Sequence, residues 1–478
     1  MKIFCLKKGW TIVVILALVL FYLICGAIAP FLRYQKVTEP VEIELEKKAA
    51  EENVDRAMLL ETNTSAWEER IRLFSQAEER VILSTFDMRP GESTRDILAM
   101  LLHKAEEGVQ VKILVDGFSG LIRMEGKPLF YAVSSHPNIE IKIYNPVNPL
   151  LPWKTQGRMH DKYVIVDDKA FILGGRNSFD YFIGDYNTKN KSFDREVLIY
   201  NTANGTEAGA QSSLYQVESY FEKVWNGGDC RLFHDKESLS ERKKVAGERK
   251  LLKERYERIA AKKPELFEEP KYEKRTWPTE DVQLISGETG IYGKEPVVFE
   301  GLCQLMEQAK ERVIIHTPYI VCNEDMYERL GEVAKKAPDI HIMINSVENG
   351  DNLVASSDYL QNKEKVVAVG IPLLEYDGGT SSHGKSIVID DDISIIGSYN
   401  MDLRSTYMDT ELMLAVRSEG LTKELAANME RMEKDCRRVV SATEYETPEH
   451  IQVQEIPLPK KMVFRLLGIL LKPFRCVI

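Results

Sequence analysis

The chain has 478 residues, of which 44% are hydrophobic and 29% charged, and carries a formal net charge of −11. That length can bury two cores or one large two-lobed core. The acidic balance argues against a nucleic-acid partner, which calls for a basic footprint. The 7 cysteines are scattered without C-x-x-C or ligand spacing, so they offer neither a metal site nor a disulfide framework and favour free thiols.

From the N-terminus, Gly9 to Leu32 contains no charge, and Thr11 to Ala29 is dominated by Val, Ile, Leu and Ala. At about 1.5 Å per residue such a run can cross a hydrocarbon core of about 30 Å. Ala27-Ile28-Ala29 resembles a signal-peptide cleavage site, but Pro30 directly after it and the length of the run favour a retained anchor. Lys2, Lys7 and Lys8 precede the run, while Arg33 and Lys36 follow it. The slight bias predicts an inside N-terminus, with the rest of the chain outside the cytoplasm at the cell membrane. Residues 1–36 are therefore an anchor, and the acidic stretch 37–62 is a spacer.

Residues 63–232 form a first unit. Ala77 to Thr85 predicts a strand, Thr94–Glu107 an amphipathic helix and Val109–Val115 another strand. Met159–Val166 predicts a strand carrying His160 and Lys162, with Asp167 at its end. Gly174-Gly175-Arg176-Asn177 follows as a turn of small residues, then Asp194-Arg195-Glu196. Tyr181 to Tyr186 reads either as a surface loop or as an aromatic lining for a lipid entrance. Residues 233–278 are dense in both charges and rich in helix formers, predicting a solvated helical linker.

Residues 279–445 repeat the first unit. Ala309 to Thr317 aligns with Ala77 to Thr85, and Glu324–Lys336 and Ile340–Ile344 supply the next helix and strand. Ser382–Ile389 carries His383 and Lys385 and ends at Asp390; Gly397-Ser398-Tyr399-Asn400 and Asp409-Thr410-Glu411 follow. The interval from the Asn to the Glu is eight residues longer in the first copy. The tail, 446–478, ends in a basic segment. Lys461, Arg465, Gly468 and Lys472 make one narrow stripe, with apolar residues around the rest. That pattern favours a helix lying in an anionic membrane interface over one docked on the protein's own core.

Alternation of strands and helices predicts an α/β fold: two mixed sheets flanked by helices, side by side, behind an N-terminal transmembrane helix. Residues two apart in a strand share a face, so each histidine and its lysine point the same way. Asp167 and Asp390 have the opposite parity and read as framework supports.

Two imidazoles beside two lysines suit a phosphodiester. One imidazole attacks phosphorus and forms a covalent intermediate. The second protonates the leaving oxygen and then activates the acceptor. The lysines, with Asn177, Asn400 and Ser398, hold the oxygens on which charge develops. The lysines supply the positive charge, so neither a metal nor another cofactor is expected.

The doubled motif resembles the phospholipase D superfamily, over most of the chain. The turn sequences, with Tyr359 and the stretch Gly370 to Tyr376, resemble bacterial cardiolipin synthases more narrowly. The resemblance implies two tandem phospholipase D-like repeats. It assigns His160, Lys162, Asp167, His383, Lys385 and Asp390 to catalysis, with His160 as nucleophile and His383 as acid and base; the residues themselves do not separate the two. By the same resemblance, Glu196 and Glu411 orient the histidines. The implied reaction is transfer of a phosphatidyl group to a second phospholipid, phosphatidylglycerol, with phosphatidylethanolamine as a further candidate substrate. Water as acceptor would make the same site a phospholipase D-type hydrolase. A nuclease or a non-catalytic membrane scaffold fits less well, because both ends seek a membrane and both motifs are complete.

Overall fold

The computed structural model describes residues 2–49, 53–453 and 455–478. Residues 50–52 of the 37–62 spacer lie outside the described residues. Two lobes stand side by side, each built on a nine-stranded sheet among the described residues. The first-lobe strands are β1 (Asp55–Leu60), β2 (Arg80–Thr85), β3 (Gln110–Asp116), β4 (Ile139–Tyr144), β5 (Tyr163–Val166), β6 (Ala170–Gly174), the short β7 (Ser192–Phe193), β8 (Glu196–Asn201), β9 (Cys230–Leu232) and β10 (Trp277–Pro278). All but β7 join the sheet, in the order β10-β1-β8-β6-β5-β2-β3-β4-β9.

The second lobe repeats the plan with β11 (Asp281–Ser286), β12 (Val313–His316), β13 (Ile340–Asn345), β14 (Leu373–Tyr376), the short β15 (Ser381–Ser382), β16 (Ser386–Ile389), β17 (Ile393–Gly397), β18 (Leu412–Arg417), β19 (Cys436–Val439) and β20 (Tyr445–Glu446). Its sheet runs β11-β18-β17-β16-β12-β13-β14-β19-β20. In each lobe the three strands joined by helical crossovers are parallel (β2-β3-β4 and β12-β13-β14), and the hairpin-connected ones are antiparallel. β5 and β16 are buried along their whole length, as expected of central strands covered on both faces.

One apolar core spans the seam between the sheets, uniting Tyr163, Phe171 and Ile199 with Val388, Ile396 and Leu414. Two further cores lie on the outer faces, under the helices of each lobe. Helix 324–336 falls where its periodicity places it, Glu324–Lys336, and the first-lobe helix runs Glu92–Glu106.

Three expectations need correction. The 37–62 stretch is not only a spacer: its end is β1, paired with β8 along six residues. The segment 233–278 is not a solvated linker either. Its helix Lys243–Lys262 buries Val245, Leu252 and Ile259, one every two turns, against the first lobe, and its end contributes β10. The chain then passes from β10 to β11 through Thr279 and Glu280 alone. Finally, the C-terminal helix Leu458–Leu471 is docked on the second lobe by one face, while Met462, Leu466, Ile469 and Leu470 stay exposed on the other. Phe464 is buried in the second-lobe core, and a Cβ at Gly468 would stand 2.6 Å from Gln361.

The helix Lys2–Ile28 is apolar and long enough to cross a membrane from Gly9 to Phe31, with none of that stretch's central window buried in the protein.

Candidate active site

The regular strands begin just after the motif histidines. His160 precedes β5 and His383 lies between β15 and β16, so both sit at strand ends beside the seam rather than on strands. Backbone contacts tie each to the opposite lobe. The His160 N–H donates to Thr410 O at 3.2 Å, and the His383 N–H donates to Phe193 O at 2.6 Å. β15 pairs with β7 in parallel, and Met159 bridges to Thr410.

The side chains cross in the same way. His160 Nδ1 is 2.8 Å from Glu411 Oε1 of the second lobe. His383 Nδ1 is 2.7 Å from Asp194 Oδ2 of the first. A carboxylate on Nδ1 orients an imidazole and leaves Nε2 for chemistry. Phe86 packs edge-on to His160 with ring centroids 5.2 Å apart, and Phe182 lies 5.1 Å from His383. The extra first-lobe segment is thus neither a bare loop nor a lining alone. Phe182 and Ile183 are buried, and the Tyr181 hydroxyl donates to Asp351 of the second lobe at 2.6 Å.

Glu196 does not orient a histidine. Arg70 holds it in a buried bidentate pair at 2.7 and 2.6 Å, with Arg176 adding a contact at 3.5 Å. The second lobe has Tyr399 where the first has Arg176, and there Glu411 reaches the imidazole. Its neighbour Asp409 is taken instead by Arg404, at 3.0 and 3.2 Å. Each lobe therefore uses a different carboxylate of the same Asp-x-Glu pair.

That exchange explains the unequal turns. A Cβ on Gly175 would lie 2.4 Å from Asp194 Oδ1, so no side chain fits there. Ser398, the equivalent residue, is fully buried and donates its hydroxyl to Glu411 Oε2, while Ser405 donates to Oε1 at 2.6 Å. The phosphate-binding expectation for Ser398 is corrected accordingly: its hydroxyl is committed to the carboxylate that holds His160. Gly174 and Gly397 are required by close approach, since a Cβ would meet Arg195 O at 2.4 Å and Leu412 O at 2.1 Å.

Lys162 donates to the carbonyl of His160, and Lys385 Nζ lies 2.6 Å from His383 Nδ1 and 3.2 Å from Nε2. Asn177 Oδ1 accepts from the Asp87 N–H at 3.0 Å. Asn400 Oδ1 is buried and has no hydrogen-bond partner among the described residues. Asp167 and Asp390 touch neither histidine. Both adopt the left-handed conformation, with φ of 47° and 52°. Asp167 accepts from the N–H groups of Glu78, Glu79 and Arg80 at 2.8–2.9 Å, and Asp390 from those of Lys310, Glu311 and Arg312. They brace the turn before the adjacent strand.

Burial sets the charge states. It pushes His160 well below its ordinary value, aided by Lys162 and Lys385. Burial and Lys385 also lower His383, against the pull of Asp194. Burial raises Glu411 to about 8 and lowers Lys162 to about 7. Burial would raise Asp194 too, but Lys385, the His383 hydrogen bond and Arg176 outweigh it and hold that carboxyl below its ordinary value. The two imidazoles are thus backed differently: His383 by an ionised carboxylate, His160 by one that retains a proton more readily.

Sequence reasoning did not single out Asp194, Ser405, Arg70, Arg176 or the buried Lys294, whose ammonium donates to Met408 O. The Asp-x-Glu pair was visible in both repeats. The deciding signal was the arginine beside Asn177, present in one turn and absent from the other.

A family model described as "Cardiolipin synthase, PLD-like domain" matches residues 71–225 and 302–433, more than half of the chain. The chain belongs to this family. A cardiolipin synthase of Clostridium perfringens (strain 13 / Type A) is 25% identical over 386 residues, spanning 78% of this chain and 70% of its own. Cardiolipin synthase C of Escherichia coli (strain K12) is 24% identical over 408 residues, spanning 76% and 82%. The phosphatidylserine synthase of Haemophilus influenzae Rd KW20 shares the fold, with a TM-score of 0.63 at 13% identity over 90% of this chain and 99% of that one. As a member of the cardiolipin synthase family, this protein is a phosphatidyltransferase of the phospholipase D superfamily.

Proposed function

We propose that this phosphatidyltransferase makes cardiolipin from two molecules of phosphatidylglycerol through a phosphohistidine. The observation that carries the reading is the reciprocal crossing: each imidazole is held through Nδ1 by a carboxylate of the other lobe. His160, held neutral by its burial, attacks the donor phosphorus through Nε2. The bond from phosphorus to the head-group oxygen breaks, and His383, which takes up a proton when the anionic phosphate binds beside the ionised Asp194, gives that oxygen its proton. Glycerol leaves. His383 then accepts the proton of the acceptor's hydroxyl, whose oxygen attacks phosphorus and breaks the P–N bond, restoring His160.

Lys162 and Lys385 neutralise the phosphate, and the amides of Asn177 and Asn400 flank it. Charge stabilisation by fixed cations in a buried site outweighs what they would supply in water. Asp194 and Glu411 are positioning residues. Asp167 and Asp390 keep the motif strands in place, and Ser398 and Ser405 keep Glu411 in place.

The test is lipid mass spectrometry after incubating the full-length protein with phosphatidylglycerol vesicles, beside His383→Ala. Cardiolipin and free glycerol, absent from the variant, support the reading. Phosphatidic acid without cardiolipin overturns it in favour of hydrolysis.

A further inference from the structure

The loop from β4 to His160 contains the sequence Pro146-Val147-Asn148-Pro149-Leu150-Leu151-Pro152-Trp153-Lys154. Leu150 at its tip is 78% exposed, and Trp153 is 37% exposed. An aliphatic tip this open in water is unusual unless something covers it. Several backbone groups here are satisfied without water. Three prolines carry no N–H. The Leu150 N–H donates to Asn148 Oδ1 at 3.0 Å, and the Leu151 and Lys154 N–H groups donate within the turn. The Leu150 carbonyl accepts from the Tyr22 hydroxyl at 2.9 Å. Each group satisfied in this way lowers the cost of bringing a non-helical segment toward hydrocarbon.

Tyr22 belongs to the apolar anchor helix, and Gly26 of that helix packs so closely that a Cβ would lie 2.5 Å from Pro152. At 1.5 Å per residue, Tyr22 lies roughly 13 Å inside the Phe31 end of the candidate span. The loop tip therefore stands at the depth of the hydrocarbon that the helix would cross. The anchor is docked at its far end as well: Phe31 is buried in the second-lobe core, and Gln35 Nε2 donates to Gly293 O at 2.7 Å.

Two more apolar patches adjoin this junction. Leu121 and Ile122 are 54% and 60% exposed on the turn after β3. That turn is fixed by Phe118, whose ring lies 4.8 Å from the guanidinium of Arg158, two residues before His160. Arg404 links Gln156, at the end of the loop, to the Val477 carbonyl of the C-terminal segment. The helix preceding that segment exposes Met462, Leu466 and Ile469, with Lys461 and Arg465 among them.

We propose that the 146–154 turn enters the same leaflet as the anchor helix and, with Leu121, Ile122 and the C-terminal helix, holds the catalytic seam against an anionic bilayer. Aliphatic tips with Arg123, Lys127, Lys154, Lys461 and Arg465 close by in the chain fit a lipid surface of that charge. The donor lipid then reaches His160 laterally, from the leaflet that carries the anchor. This step in the inference rests on the phosphatidyl-transfer reading; the placement in the membrane does not.

The test uses full-length protein with Cys5→Ser and Cys25→Ser. A single environment-sensitive fluorophore is attached at Leu150→Cys or Ile122→Cys, and the protein is reconstituted in phosphatidylglycerol-containing nanodiscs. Quenching by a nitroxide on the acyl chain, with shielding from aqueous iodide, supports the placement. Equal iodide quenching with and without the bilayer overturns it. Shielding that follows protein density instead of lipid overturns it in favour of a second copy of the chain. In parallel, Leu150→Asp is expected to lower turnover of vesicle phosphatidylglycerol by about tenfold, while monomeric short-chain phosphatidylglycerol is turned over within about twofold of the unsubstituted protein. Unchanged vesicle turnover overturns the lateral route. Acyl-chain quenching with no turnover of either lipid form supports the placement and overturns only the transfer reading.

Discussion

His160 of the first lobe is held by Glu411 of the second, Nδ1 to Oε1 at 2.8 Å, and the hydroxyls of Ser398 and Ser405 hold that carboxylate in turn. A hydrogen bond contributes about 0.5–1.5 kcal/mol, and about 1.5–3 kcal/mol when its acceptor is ionised. Ser398→Ala should therefore lower kcat roughly tenfold with KM little changed, because the hydroxyl reaches the carboxylate and not the substrate. A rise in KM with kcat intact would return Ser398 to the phosphate.

The histidines themselves set the scale. Removing a general acid and base costs roughly 10²–10⁴-fold, so His383→Ala should lose activity by that factor. His160→Ala should lose more, and with it any covalent adduct trapped from radiolabelled donor. A labelled adduct surviving in His160→Ala and missing in His383→Ala would exchange the two roles.

The two carboxylates of the first-lobe pair should separate cleanly. Asp194→Asn keeps the shape but gives His383 the wrong partner, so kcat should fall by roughly 10²-fold or more with the melting temperature little changed. Glu196→Gln leaves Arg70 and Arg176 buried without their counter-charge. Breaking a buried pair in this way costs about 3–5 kcal/mol, so that variant should unfold at lower temperature. Thermal unfolding and kinetics on both variants check the assignment.

Acid should loosen the seam. Burial lowers His316 to about 4, with Arg195 adding to the effect and the bond to Glu433 opposing it. Its Nε2 is 2.9 Å from Glu433, and Arg195 of the other lobe lies 3.2 Å from its Nδ1. The fold thus favours neutral imidazole. This contribution is whole above the unfolded value of about 6.5 and is lost as pH falls toward 4, on the order of 3 kcal/mol. Burial would raise Glu433, but His316 and His341 hold it down to about 2. Its own contribution is present above about 4.5 and is lost later, as pH falls toward 2. Melting temperatures of the unsubstituted protein and His316→Gln should differ at pH 7 and converge between about pH 6.5 and 4.

Much of the fold was legible because the information was local or repeated. The helix Glu324–Lys336 shows its apolar face within its own turns, and the second His-Lys motif confirmed the first. What escaped was decided at long range. β1 looks like the end of an acidic spacer until β8 is beside it. The helix Lys243–Lys262 hides its three buried residues in a run of charge. Asp194 and Glu196 are equally good candidates on paper, and only the positions of Arg70 and Arg176 in space choose between them.

The passage from β10 to β11 has mechanical consequences. Thr279 and Glu280 can reach only about 10 Å fully extended across the flanking bonds, and Thr279 is buried, its hydroxyl donating to the Asp55 carbonyl at 2.7 Å. So short a tether keeps the adjoining edges of the two sheets together, and the apolar core that both sheets share resists their separation. Any relative motion of the lobes is anchored at this edge, and parting them would expose to water the side chains that Tyr163 and Phe171 share with Val388 and Ile396.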